Sequence, residues 1–270
     1  MSAPAVDHLF HDGVMQRPTD VLELEHRELT RVHGIVVHAV AEVEGRTLEF
    51  SERWSRRARS PARSLSTRDA SFWMAVSFTA GAVLFIAAAF GAIAGPGADA
   101  LWVRTGNLIG ATIFSVGAAF AVREAWGAVE PRGLEQFWAT VAGRASMVQG
   151  AAAAVLFQAG MVIETLTTQL GTLVAALNTA GSVGFVISSY LYLRESWPSR
   201  DIGTVSAAAN LLGSALFLLG SGAGLAPSAE ALANWSFLIG SAMFAAGGLA
   251  AFKELDEPAR STDHAPQPRQ

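Results

Sequence analysis

Apolar residues in this chain run in long unbroken stretches rather than alternating or recurring at a short period. Residues 70–98, 105–122, 145–163, 165–193, 202–229 and 231–252 contain no Asp, Glu, Lys or Arg. Each stretch is close to the length needed to cross a hydrocarbon core of ~30 Å at ~1.5 Å per helical residue. The pattern therefore predicts six transmembrane helices. The chain up to Asp69 is polar, so no signal peptide is expected at its start, and the first span must act as its own insertion signal. Between Pro18 and Gly45 a different period operates. Asp20 with Glu23 has the spacing of a capping box, and Leu22, Leu29, Val36 and Val43 recur every seven residues, with Val32 and Ala39 between them. That spacing predicts a helix over about 19–44, although Gly34 in its interior costs about 1 kcal/mol.

Charge orients the six spans. Fourteen basic residues fall on one side: Arg53 to Arg68 before the first span, Arg123, Arg132 and Arg144, then Arg194 and Arg200, then Lys253, Arg260 and Arg269. The other side has Arg104 alone. The positive-inside rule then places both termini in the cytoplasm of a bacterial inner membrane. Of 270 residues none is cysteine, which removes thiol nucleophiles, cysteine-ligated metals and disulfides together.

The amino-terminal region divides sharply by charge, with ten acids and four arginines in residues 1–52 and six arginines without an acid in 53–68. The basic collar, with Arg53, Arg56, Arg57 and Arg59, suits anionic lipid headgroups, each cation gaining about 1 kcal/mol. Its shortness and its acidic neighbour argue against nucleic acid. Five of six histidines lie nearby, at His8, His11, His26, His33 and His38. On a helix, His26 and His33 would share a face but be separated by about 10.5 Å of rise, too far to hold one ion. No metal or cofactor is expected.

The even-numbered spans carry a repeat. Asn107, Gly110, Phe114, Arg123, Glu124 and Trp126 overlay Asn178, Gly181, Phe185, Arg194, Glu195 and Trp197 without a gap, and Gly240, Ser241, Phe244, Lys253 and Glu254 continue the pattern. The odd spans agree: Gly81, Ala153 and Gly213 each stand four residues before Phe85, Phe157 and Phe217. The fold class expected is an all-α integral membrane protein whose six helices form three repeated two-helix hairpins, pseudo-threefold about the membrane normal. Residues 1–66 form a cytosolic region, 67–126, 133–197 and 198–256 the hairpins, and 257–270 a disordered tail. Gly110, Gly181, Gly213 and Gly240 let backbones approach where lipid gives no hydrophobic drive to association. The doublets Arg123-Glu124, Arg194-Glu195 and Lys253-Glu254 either close a cytoplasmic ring of ion pairs or anchor each helix at the interface.

Within the spans the polar candidates are Asn107, Gln149, Gln158, Asn178 and Asn210. They serve as interhelical hydrogen bonds or line a narrow polar pathway. No buried carboxylate or cation suggests a pump, with Glu164 and Arg104 near the outer edges, and no GxxxxGK[ST], HExxH, GxSxG or CxxC is present, so no enzyme is expected.

The third hairpin, Asn210 to Ser221 followed by Trp235 to Phe244, has an L-G-S-x-L-F-hydrophobic-G-S run. It resembles the YrhK-like domain, a small bacterial two-helix membrane module, and the resemblance extends more loosely to the other hairpins. That likeness implies an integral membrane protein of a family without an assigned activity. Two functions are expected from the residues. The first is a non-enzymatic inner-membrane scaffold or regulatory protein whose acidic cytosolic helix meets a partner or a second copy. The alternative is a passive channel or facilitator for a small neutral solute. Asn107 and Asn178 separate them, since a channel puts both on a hydrated centre and a scaffold buries both between helices.

Overall fold

The computed structural model describes residues 10–11, 14–15, 26–43, 46–53, 69–95, 97–128 and 133–256. Among the described residues seven α-helical segments follow the amino-terminal region: α1 (Ala70–Ala94), α2 (Leu101–Gly127), the short α3 (Gly133–Trp138), α4 (Val141–Leu166), α5 (Gly171–Ser196), α6 (Ile202–Ala223) and α7 (Glu230–Asp256). All except α3 are long and apolar enough to cross a membrane. Helices answer to the charge-free windows because a span in lipid must satisfy its backbone hydrogen bonds internally. Three of them start at side-chain caps. Asp69 accepts from Ser71 N at 3.0 Å, Thr140 Oγ1 from Gly143 N at 3.0 Å, and Asp201 from Thr204 N at 3.1 Å, each filling an otherwise orphaned donor.

The long helices pack in chain order around a closed ring: α1 on α2, α2 on α4, α4 on α5, α5 on α6, α6 on α7, and α7 back on α1. Outward-facing positions such as Val83, Phe90, Ile109, Val155, Leu219 and Leu249 are exposed. An apolar exterior of this extent is what a bilayer covers. Inside the ring, every long helix contributes a buried phenylalanine to a single core, Phe85, Phe114, Phe157, Phe185, Phe217 and Phe244, with Phe78 a second one from α1. The ring has a terminal end, where α1 begins and α7 ends, and an opposite, far end.

The helix expected over about 19–44 is not formed. Its described part consists of strands β3 (His26–Val32) and β4 (Ile35–Val43), followed by β5 (Arg46–Ser51), in the antiparallel order β3-β4-β5. Two-residue strands β1 (Phe10–His11) and β2 (Val14–Met15) pair with each other before them. Residues 19–25 lie outside the described residues.

The turn decides the matter. His33 and Gly34 both have positive φ, 48° and 83°, between the paired Val32 and Ile35. Two consecutive positive-φ residues make the tight hairpin loop that matches strand twist, and glycine adopts that conformation without strain. The seven-residue spacing coexists with a β-branched run, Ile35, Val36, Val37, Val40 and Val43, that favours a pleated strand. His26 and His33 consequently lie at opposite ends of one hairpin arm. The sheet docks on the terminal end: Val32 and Val37 pack with Val141, Ala145 and Leu191. Just after β5, Glu52 Oε1 accepts a hydrogen bond from Val141 N at 2.9 Å.

Candidate functional site

The six core phenylalanines form a cage two layers deep. Phe85, Phe157 and Phe217, from α1, α4 and α6, have ring centroids 6.0, 5.7 and 5.9 Å apart. Phe114, Phe185 and Phe244, from α2, α5 and α7, are separated by 5.7, 5.3 and 6.5 Å. The layers touch within each helix pair, at 6.3 Å for Phe85 and Phe114, 5.7 Å for Phe157 and Phe185, and 5.1 Å for Phe217 and Phe244. Most contacts are edge to face, the arrangement that ring quadrupoles prefer.

Close backbone approach positions each phenylalanine. A Cβ placed on Gly81 would lie 2.9 Å from the Gly110 carbonyl oxygen, and one on Gly213 would lie 2.9 Å from that of Gly240. In α4 and α5 the contact is looser and shifted. A Cβ on Gly181 would be 3.3 Å from the carbonyl oxygen of Ala152, not of Ala153. The contacting residue stands four positions before the phenylalanine in α1 and α6 but five before it in α4. One π-helical turn, Ala152–Phe157, absorbs the extra residue and brings Phe157 into the cage.

Cavities lie on both sides of the cage. The far cavity, about 500 Å³, ends on Phe85, Phe157 and Phe217, and its wall includes Asn107, Asn178, Asn234, Asp99, Glu164 and Glu230. Asn178 is 6% exposed, and its Oδ1, set against Gly160, has no hydrogen-bond partner. At this end Arg104 Nη1 donates to the Glu164 carbonyl oxygen at 3.0 Å. The terminal cavity is smaller, about 110 Å³, and is walled by Gln149, Asn210, Glu124, Glu195 and Glu254, together with Arg53. Phe78, which also lines it, packs on Phe114 at 4.6 Å.

The doublets do not form a ring of paired neighbours. Glu195 and Glu254 are buried and Glu124 is half-buried, whereas Arg123, Arg194 and Lys253 are exposed. Adjacent helical residues point about 100° apart, so one member of each doublet faces inward and the other outward. Glu254 pairs with Arg53. Arg53 therefore leaves the lipid-binding set assigned to it from sequence, and Arg56, Arg57 and Arg59 lie outside the described residues. Gly203 makes room for Arg53, since any Cβ there would collide with the guanidinium.

Of the five amides, Asn107 and Asn178 come together at the far cavity, and Gln149 and Asn210 at the terminal one. Gln158 belongs to neither. Its Nε2 donates to Thr112 Oγ1 at 2.9 Å and ties α4 to α2. Serines supply further interhelical bonds: Ser189 with Ser214 at 3.0 Å, Ser182 with Ser221 at 3.3 Å, and Ser206 Oγ to the Gly247 carbonyl oxygen at 2.8 Å. Their signal in the sequence is that of small residues at close-packed interfaces, with Ser214 and Ser221 also part of the repeated Gly-Ser pairs.

Residues 200–253, spanning most of α6 and α7, match the model of the YrhK-like protein family. No curated protein and no solved structure matches the chain.

Proposed function

We propose that the chain is a bacterial inner-membrane protein with both termini in the cytoplasm, built from three repeated hairpins about a pseudo-threefold axis, that provides a passive, non-enzymatic passage for a small polar solute. The near-equal ring separations of 6.0, 5.7 and 5.9 Å among Phe85, Phe157 and Phe217 support the threefold arrangement. One observation carries the passage: Asn107 and Asn178, on different helices, line a single cavity that ends on the cage, with a second polar-walled cavity beyond it. The cage then acts as a hydrophobic constriction that excludes water until rings move. The scaffold reading draws its support from the docked sheet at Val32 and Val37, which would present a strand edge, not an acidic helix, to a partner or a second copy.

Stopped-flow swelling of proteoliposomes in a urea gradient tests the passage. Phe217→Ala removes one ring from the cage, and it is expected to raise urea permeability above that of wild type while the protein still elutes as a single species. Equal rates for empty liposomes, wild type and Phe217→Ala would end this reading.

A further inference from the structure

We propose that the two cavities recognise a small guanidinium-type cation, with Arg53 occupying the terminal cavity as a tethered copy of that ligand; this rests on the passage proposed above. Three acids reach the terminal cavity, Glu124, Glu195 and Glu254, one from each of α2, α5 and α7. The guanidinium of Arg53, carried in by the segment after β5, pairs with Glu254 and lies against Gly203, where a Cβ would displace it. A planar cation with several donors in a fixed fork suits carboxylates set around it.

The far cavity repeats this chemistry without a tethered cation among its lining residues. Asp99, Glu164 and Glu230 face it, and Arg104, the one cation near it among the described residues, has its Nη1 engaged by a backbone carbonyl. Asn178, more than nine-tenths buried in its wall, keeps an amide oxygen without a donor. Oxygen and nitrogen of an amide exchange by a half-turn of χ2, so this side chain can turn its acceptor to a bound N–H. Rings of carboxylates at both mouths of a narrow path select cations over neutral solutes and anions. Entry from the terminal side then requires Arg53 to withdraw.

Chemical rescue tests the terminal site. Arg53→Ala in detergent is expected to melt below wild type and to regain stability in millimolar guanidinium chloride, but not in equal urea or sodium chloride. A folded Arg53→Ala protein indifferent to guanidinium would overturn the proposal. Should that variant not fold, flux decides with the full-length wild-type chain. Proteoliposomes are expected to take up labelled guanidinium above the empty-liposome background, and Glu230→Gln to cut that uptake several-fold. Transport of urea without guanidinium would refute the cation and leave the passage standing. Movement of neither solute, in wild type or Phe217→Ala, would refute both.

Discussion

Helices α6 and α7 solve the same packing problem as α4 and α5 by a different route. In the first pair two glycines face each other, Gly213 and Gly240, with no space for a methyl group at 2.9 Å from backbone oxygen. In the second pair Gly181 faces the carbonyl of Ala152, and both Ala152 and Ala153 are buried there. A regular α-helix starting from that contact would present Leu156 four residues on, not Phe157. The π-helical turn adds one residue and returns a phenylalanine to the cage. The cage is therefore the invariant of the bundle, and helix regularity is what yields. Local backbone deviation of this kind is sustained only where surrounding contacts over-determine it.

Deletions should expose this difference most strongly. Ala154 and Ala215 are both exposed, in α4 and α6 respectively. Removing Ala154 shortens the Ala152-to-phenylalanine step from five residues to four, so a plain α-helix can connect the two contacts. Removing Ala215 rotates everything beyond it by about 100° and throws either Gly213 or Phe217 off its site. We expect the Ala154 deletion to purify as a monodisperse protein and the Ala215 deletion to aggregate, judged by size exclusion in one detergent. Aggregation of both would mean that the π-turn is required and not merely tolerated.

What the sequence disclosed follows the same divide between bulk and local constraints. The six spans were legible because burial in lipid demands long charge-free runs, and the core phenylalanines because they recur at nearly constant spacing within each helix pair. Ala153 overlays Gly213 in the sequence because a gapless alignment cannot register an inserted residue taken up by a wider turn. The amino-terminal segment reads as a helix because the periods of helix and strand overlap where Leu29, Val36 and Val43 lie among β-branched residues such as Ile35, Val37 and Val40. His33-Gly34 was the contrary signal, a two-residue loop that only positive φ can close. The inward turn of Glu195 and Glu254 follows from helical geometry alone, but the pairing of Glu254 with Arg53 does not, since that contact spans 201 residues of chain.

Single methyl groups test the two interfaces more gently. Gly213→Ala forces a Cβ against the Gly240 carbonyl, an overpacking worth about 1–3 kcal/mol, from which a helix-propensity gain of about 1 kcal/mol is recovered. A net loss of stability is expected. Gly181→Ala meets its nearest atoms at 3.3–3.4 Å, a contact that a shift of tenths of an ångström relieves, so propensity and strain should nearly cancel. Thermal melts of the two variants in the same detergent give the comparison. Equal losses would show that the looser approach of α4 to α5 has no slack to give.

The smallest effect belongs to the bond just past the π-turn. Gln158 Nε2 donates to Thr112 Oγ1, while Gln158 Oε1 has no partner. Gln158→Leu thus loses one interhelical bond and relieves one unsatisfied oxygen. Amide bonds between membrane helices are worth ~0.6 kcal/mol on average in double-mutant cycles, so the single variant should melt close to wild type. If the cage alone fixes the π-turn, a cycle with Thr112→Val will give a coupling of about that average. A coupling near the upper limit of ~1.7 kcal/mol seen for such bonds would instead assign this bond a share in holding the turn, and the invariance of the cage would then depend on α2 as well as on the rings.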